Sequence, residues 1–585
     1  MQTIAYPKTV SSDYSAVLRL SATAAIAVAF FLVYFLSYPR DRSARPVFTS
    51  PRENIGYLLS RRAAEGNGFS LSIAHYDELP PDVQLALTPR DAAARAGKVL
   101  PRDFAGTMLL HALLSAISPW SVLIVSPIFG VASAWVASRI GASVFGRDLS
   151  PLSFAFLLTL PPLWINSAYV FMGDSAALFF TLLAILFLVS YWETRRWQDL
   201  VLVSAATSLS VLFRYPNALF LPLFAGSLIV GGRFNPRHVA LAALAGVPTV
   251  VTMLAFNWLV YGAPTTTGFA IGSQVLAETA NIAGESFVKV RPEILWMYVQ
   301  DYGIRFGPGL VHVHVLLLPV LIGLVYSAWM VLTGSSIQRF LAGLSLGIFL
   351  VLGFYYGNQD AWGLGETWVN ASVLRYLLPA LILVAVFFYH GVLNVCRSFG
   401  LLVQCSGMLV VVALMVGNAQ HTYEGAGGVR SNHETVDTFR TIRSEVLAET
   451  EPDAIIATRL LDKILFPDRP TLTLTYALNN AEPVSKGDHQ TWELVPGPQR
   501  FAEVAAVIVE RGIPFYLIPD RFVSPLEDYD EALKVRGLRL VRVSDVESQR
   551  ASDSDSPAEK DTSPAGLTRV SSASLYKIEA LSGTD

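Results

Sequence analysis

The chain of 585 residues is 52% hydrophobic and 15% charged, with a formal net charge of −3 and a mean hydropathy of +0.45; soluble domains run at roughly 45–50% apolar and 25% charged. These values exclude a disordered protein and an ordinary soluble enzyme, and the near-neutral balance gives no sign of a nucleic-acid-binding face. Of the 89 Asp, Glu, Lys and Arg residues, 44 lie in positions 1–417 and 45 in the 168 that follow. The expected architecture is an α-helical polytopic membrane domain over 1–417 and a small soluble α/β domain over 418–585.

Apolar stretches of spanning length, roughly 17–25 residues, fall near 17–38, 119–138, 150–170, 174–192, 198–213, 215–231, 238–261, 309–332, 337–357, 374–395 and 399–417. The first has no small-x-small cleavage site before Pro39-Arg40-Asp41-Arg42, so it reads as a retained helix and not a signal peptide. The piece from Phe104 to Ser118 is only about 15 residues, below spanning length. Five short basic loops are marked by Arg139 and Arg147, Arg195-Arg196, Arg233 with Arg237, Arg339, and Arg397. All five share one side if 104–118 does not cross, and the positive-inside rule makes that side cytoplasmic. The reading is about eleven spans in the plasma (inner) membrane, with a cytoplasmic N-terminus. The loop 39–118, the turn Phe171-Met172-Gly173-Asp174, the loops 262–308 and 358–373, and the C-terminal domain are then periplasmic or extracellular.

The first outer loop contains an expected helix from Glu53 to Glu65, with Ile55, Leu58, Leu59 and Ala63 as its apolar stripe and Gly66-Asn67-Gly68 as its stop. Such a helix suits the membrane surface; the plainer reading is that it caps the bundle. In the C-terminal domain, Ala454–Thr458 and Phe515–Ile518 read as buried strands and Phe501–Arg511 as an amphipathic helix. Leu538–Val543 and Ser574–Ile578 read as further strands, separated by a Ser/Asp/Glu-rich loop over 548–564 expected to be disordered. No phosphate loop, metal-ligand cluster or nucleophile elbow stands out in this domain, which reads as a binding or capping module. Cys396 and Cys405 lack metal-ligand spacing and read as packing residues.

Ionisable residues at a membrane edge are costly and mark function by default. Asp174 opens a span, Arg214 lies between two, and Arg375 opens another, all on the outer side, where Glu53 also falls. Their plain alternatives are a carboxylate favoured by a helix N-terminus and arginines snorkelling at helix ends. As a set they suit one kind of chemistry, in which arginine forks hold a lipid-linked phosphate while a carboxylate takes a proton from an incoming hydroxyl or amine.

Six motifs follow in chain order: Glu53-Asn54-Ile55-Gly56-Tyr57 with Ala64-Glu65-Gly66-Asn67-Gly68-Phe69; Pro101-Arg102-Asp103-Phe104-Ala105-Gly106; Gly173-Asp174-Ser175-Ala176-Ala177-Leu178; Phe213-Arg214-Tyr215-Pro216-Asn217; Asn257 to Phe269 with Tyr261-Gly262-Ala263-Pro264-Thr265; and Arg375-Tyr376-Leu377-Leu378-Pro379. In this order they resemble the GT-C superfamily of membrane glycosyltransferases, which includes protein O-mannosyltransferases and lipid A aminoarabinose transferases. The resemblance covers roughly residues 15–417.

What it implies is inverting transfer of a hexosyl or pentosyl group from a polyprenyl-phosphate-linked donor to a lipid, glycan or protein acceptor on the outer face. Glu53 would be the general base, where the superfamily usually has Asp; Asp77 and Asp103 are the fallback acids in the same loop. Asp174 would orient the acceptor or help hold a divalent cation, although no dedicated metal site is evident. Arg375, Tyr376 and Arg214 would hold the donor phosphate. The rival readings are a secondary transporter or lipid flippase, which would show repeats and midplane charges, and a polymerase or ligase for lipid-linked glycans.

Overall fold

The protein is described by a computed structural model over residues 11–39, 46–146, 150–171, 173–271, 319–357, 375–425, 427–458, 460–474, 485–486, 489–490, 497–519, 526–547 and 572–581. The expectations for Arg147, Met172, most of the 262–308 loop, the start of the 309–332 span, the 358–373 loop and the 548–564 segment lie outside the described residues. The chain divides into two compact units, each assembled from separate stretches of sequence. One comprises Met1–Tyr38, Trp120–Thr252 and Val290–Ser431; the other comprises Pro39–Pro119, Met253–Lys289 and Asn432–Asp585.

Among the described residues, six helices are long and apolar enough to cross a membrane by length and composition. They are Val17–Leu36, Ser121–Phe145, Asp174–Thr194, Pro236–Tyr261, Leu378–Ser398 and a stretch beginning at Leu401. Shorter apolar helices at Trp197–Phe213, Tyr215–Val230, Pro319–Thr333 and Ser336–Leu352 match further expected spans. Among its described residues the first unit is an all-helical bundle. Its inner helices are buried in protein, 83% of the apolar window for Leu378–Ser398 against 11% for Val17–Leu36. Leu18, Leu20, Val28 and Leu36 on that outer helix are exposed, as befits a surface whose solvent is hydrocarbon.

The expected single span over 150–170 is instead two short helices, Pro151–Leu158 and Pro161–Ala168. Pro161 and Pro162 lack N–H groups, and Pro161 drives the preceding residue out of the helical region; Leu160 has φ −61° and ψ 121°. The carbonyls freed at the break are satisfied locally. Buried Tyr34 donates its hydroxyl to the Leu158 carbonyl at 2.7 Å, and the Thr159 hydroxyl donates to the Phe156 carbonyl at 2.8 Å. Trp164 donates its indole N–H to Ser37 Oγ at 2.8 Å. A Cβ at Gly130 would collide with the Ser167 side chain, so this close helix approach needs a residue with no side chain. Of the two cysteines, Cys396 is buried as a packing residue should be, whereas Cys405 is exposed.

The second unit brings the first loop and the C-terminal region together. Its five-stranded sheet has the order Thr471–Thr473, Ile455–Thr458, Phe515–Leu517, Ser572–Ala580, Leu538–Glu547. The first three strands pair in parallel and the last two join antiparallel. The α/β expectation and the four expected strands therefore stand, as does the helix, observed at Pro498–Glu510. Val47 of the first loop is part of the same buried cluster as Phe439, Ile456, Ile464, Tyr516 and Leu575. The loop helix, Pro51–Ala64, is not a surface ribbon: Glu53, Asn54, Ile55, Gly56, Tyr57, Leu59 and Ser60 are buried, and it packs on the helix Ala105–Ile117 and the short helix Asp462–Leu465.

A buried polar tie within this unit joins Arg90 to Asp462. The Arg90 guanidinium donates to Asp462 Oδ1 from Nε at 2.8 Å and from Nη2 at 2.5 Å, and its backbone N–H donates to Oδ2 at 2.7 Å. Asp462 is fully buried, so removing Arg90 strands its charge, a loss of about 3–5 kcal/mol for a buried pair. Arg90→Ala should lower the apparent Tm of the purified full-length protein by several degrees. Arg440→Ala, which breaks an exposed pair with Asp437, should shift it by about a degree or less.

Candidate functional site

Three of the six motifs lie in the first unit, and they meet. Asp174 occupies the first turn of the helix Asp174–Thr194, where the partial positive charge of the N-terminus favours a carboxylate. Arg214 ends the helix Trp197–Phe213 in extended backbone, φ −157° and ψ 98°, just ahead of Tyr215-Pro216. Arg375 and Tyr376 immediately precede the helix Leu378–Ser398. Arg214 Nη1 forms an ion pair with Asp174 Oδ1. The Arg214 guanidinium lies over the Tyr376 ring at 4.3 Å, the Arg375 guanidinium lies over the same ring at 4.9 Å, and Arg375 Nη2 donates to the Tyr376 hydroxyl at 3.0 Å.

One aromatic ring thus gathers two guanidinium groups, and the Asp174 carboxylate pairs with one of them. Asp174 is 6% exposed and Arg214 8%; Asp174 Oδ2 is buried with no hydrogen-bond partner among the described residues. The surroundings are ordered by small hydroxyls. Thr181 and Ser210 share a hydrogen bond at 2.7 Å, Asn217 Nδ2 donates to Ser210 Oγ at 2.7 Å, and Ser175 donates to the Asn166 carbonyl at 3.0 Å. Such an arrangement can receive a phosphate group: fork-shaped donors suit phosphate oxygens, and a planar ring holds the forks in place.

The other three motifs lie in the second unit, and they also meet. Arg52 donates to both carboxylate oxygens of Asp103, from Nε at 3.0 Å and from Nη2 at 2.5 Å. The Tyr261 hydroxyl donates to the Pro101 carbonyl at 2.8 Å, and Phe104 stacks on Phe269 with ring centroids 5.1 Å apart. Glu53 is 0% exposed. It stands three residues after the N-cap Ser50 in the pattern Ser50-Pro51-Arg52-Glu53, the spacing of a capping box. The Thr49 hydroxyl lies 3.4 Å from Glu53 Oε2. The two fallback acids differ: Asp77 is exposed in the turn Tyr76–Glu78, whereas Asp103 is buried and held by Arg52.

Sequence reading passed over four groups in this unit: Arg52, Thr49, Asp462 and Lys463. The missed signal was Asp462-Lys463 set inside the apolar run Leu460-Leu461-x-x-Ile464-Leu465-Phe466, where a charged pair is costly. A further polar cluster sits on the C-terminal sheet. Burial raises the Glu451 carboxyl, but hydrogen bonds from Tyr516 and its own backbone, with the Lys577 ammonium, outweigh this and hold it below its ordinary value. Burial and the Glu451 bond push the Tyr516 hydroxyl up. Among the described residues no three His, Cys, Asp or Glu side chains gather as a metal-ligand set.

Apolar helices with a buried acid–arginine pair at a helix start define an integral membrane protein. The family model described as dolichyl-phosphate-mannose-protein mannosyltransferase matches residues 107–256, a stretch that contains Asp174 and Arg214 and leaves out Glu53 and Arg375. Two solved structures share the fold. One is the archaeal oligosaccharyltransferase AglB from Archaeoglobus fulgidus in complex with an inhibitory peptide and a dolichol-phosphate. It is 14% identical with a TM-score of 0.50, and the match covers 85% of this chain and 69% of that one. The other is ArnT from Cupriavidus metallidurans in the apo state, 12% identical with a TM-score of 0.50, covering 91% and 96%. No curated protein matches by sequence. The chain therefore has the fold of these two structures, the GT-C fold that its motifs resemble.

The Asp174–Arg214 pair predicts a specific pattern of stability. Asp174→Asn removes the carboxylate charge opposite Arg214 and should lower the apparent Tm. Adding Arg214→Gln should recover part of that loss, with a coupling of about 1–3 kcal/mol. Thermal denaturation of the two single variants and the double variant in detergent measures it; strictly additive shifts would show that the two groups are not coupled.

Proposed function

We propose that the chain is a membrane glycosyltransferase that moves a hexosyl or pentosyl group from a polyprenyl-phosphate-linked donor to a lipid, glycan or protein acceptor on the outer face of the plasma membrane. The observation that carries this reading is the pair of guanidiniums gathered on Tyr376 beside Asp174, in a chain of GT-C fold. That the AglB structure was solved with a dolichol-phosphate supports a lipid phosphate as the group received.

The chemistry assigned to the residues is a single displacement. The acceptor oxygen or nitrogen forms a bond to the anomeric carbon as the bond from that carbon to the phosphate oxygen breaks. The electron pair leaves on the polyprenyl phosphate, where negative charge grows. Arg375, with Arg214, stabilises that growing charge, which is worth most in a site shielded from water. Tyr376 holds both guanidiniums in register. Glu53 takes the acceptor's proton. Asp174 orients the acceptor through the oxygen that Arg214 leaves unbonded. The division into a membrane domain over 1–417 and an outer-side domain over 418–585, and the cytoplasmic N-terminus, belong to the same proposal.

The test uses the full-length chain in proteoliposomes, supplied in turn with polyprenyl-phosphate mannose and polyprenyl-phosphate arabinose together with a membrane extract as acceptor source. Release of polyprenyl phosphate is followed. Glu53→Gln should lower turnover about 100-fold or more, the scale of a lost general base, with little change in the donor KM. Arg375→Ala should raise that KM. Full turnover by both Glu53→Gln and Asp174→Asn would overturn the assignment.

A further inference from the structure

The short helix Asp462–Leu465 of the C-terminal region carries a lysine where a lysine is costly. Lys463 is 5% exposed, and removing an ammonium from water is unfavourable unless its surroundings compensate. Compensating groups stand beside it. Its Nζ donates to the backbone carbonyl of Thr49 at 2.9 Å and lies 4.2 Å from the centre of the Phe439 ring. Thr49 immediately precedes the N-cap Ser50, so its carbonyl stands outside the ladder of the Pro51–Ala64 helix, whose first bond runs from Asn54 N–H to the Ser50 carbonyl. The hydroxyl of the same Thr49 is the group 3.4 Å from Glu53 Oε2.

A neighbouring residue holds the start of the same helix: Asn54 Nδ2 donates to the Phe466 carbonyl at 3.0 Å. Asp462 is clamped elsewhere in the first loop, by Arg90. An apolar side chain here could not donate to the Thr49 carbonyl. What an ammonium adds is a fixed donor on the Thr49 carbonyl and a positive charge at the turn that carries a fully buried carboxylate.

We propose that Lys463 is a positioning residue: from the C-terminal region it fixes the Thr49–Glu53 turn and so holds the Glu53 carboxylate in its working orientation. This rests on Glu53 being the general base. The proposal gives the C-terminal region a direct part in the transfer step, through one side chain, in place of a passive cap. A residue of this kind acts on kcat and leaves donor affinity alone, because misplacing a catalytic group by a fraction of an ångström penalises the chemical step.

The experiment compares Lys463→Met, Lys463→Arg, Asn54→Ala, Glu53→Gln and, as a control on the same region, Lys577→Met, all in the full-length chain. Amide hydrogen exchange over residues 49–57 is measured beside donor turnover. Lys463→Met should exchange about tenfold faster over that segment and lower kcat about tenfold or more, with the donor KM changed by less than about threefold. Lys463→Arg, which keeps a donor for the Thr49 carbonyl, should recover most of both, and Lys577→Met should change neither. Unchanged exchange in Lys463→Met overturns the proposal whatever the activity, and so does full kcat in Lys463→Met when Glu53→Gln is inactive. Full turnover by Glu53→Gln removes the general-base reading instead, and with it the role for Lys463 in transfer. If Lys463→Met does not accumulate in membranes, Asn54→Ala decides by the same exchange measurement, with faster exchange supporting the hold and unchanged exchange overturning it.

Discussion

A charge in a low-dielectric surrounding persists only beside its compensation, and this constraint orders both halves of the molecule. In the helical unit it draws Arg214 to Asp174 and stacks Arg214 and Arg375 on Tyr376. In the other unit it clamps Arg90 on Asp462, Arg52 on Asp103, and Lys463 between the Thr49 carbonyl and Phe439. Breaking any one of these leaves a partner stranded, which is more damaging than the pair was ever stabilising. Each pair also fixes a helix end, so the cost of burying charge is converted into geometry.

The geometry matters because the helices themselves are generic. An apolar bundle in lipid has no hydrophobic force drawing its helices together, and its contacts are close packing and a few polar ties. The break at Pro161-Pro162 shows how such ties work: Tyr34 takes up the Leu158 carbonyl that Pro162 cannot bond, and the Thr159 hydroxyl bonds the Phe156 carbonyl at the end of the first piece. The same economy is seen at the functional residues. Asp174 sits where a helix N-terminus already favours it, and Arg214 sits where a helix has already ended.

Much of this was legible in the sequence, and the limits have physical reasons. Span positions follow from length and hydropathy, because a bilayer sets both. The interruption at Pro161-Pro162 was visible in the residues, yet the continuous apolar run around it masks the break. Asp174, Arg214 and Arg375 each stand out as charges in apolar sequence. Their meeting on Tyr376 does not, since pairing across 40 or more residues depends on packing that local patterns do not encode. The membership of the 39–119 loop in the same compact unit as the C-terminal region was equally invisible, because Val47, Asn54 and Arg90 look ordinary until their partners are known. Lys463 and Asp462 were hidden by their setting: charges are unremarkable in a soluble region unless the apolar run enclosing them is noticed.

At the centre of the account is the claim that the buried charges of the helical unit exist to receive a lipid-linked phosphate. The most direct measurement is binding of undecaprenyl phosphate and of undecaprenol, the same chain without the phosphate, to the purified full-length protein in detergent by native mass spectrometry. The phosphate should bind at least about tenfold tighter, the scale of one or two charge-assisted hydrogen bonds, and Arg214→Ala/Arg375→Ala should abolish the difference. Equal retention of the two lipids by the unaltered protein would contradict it.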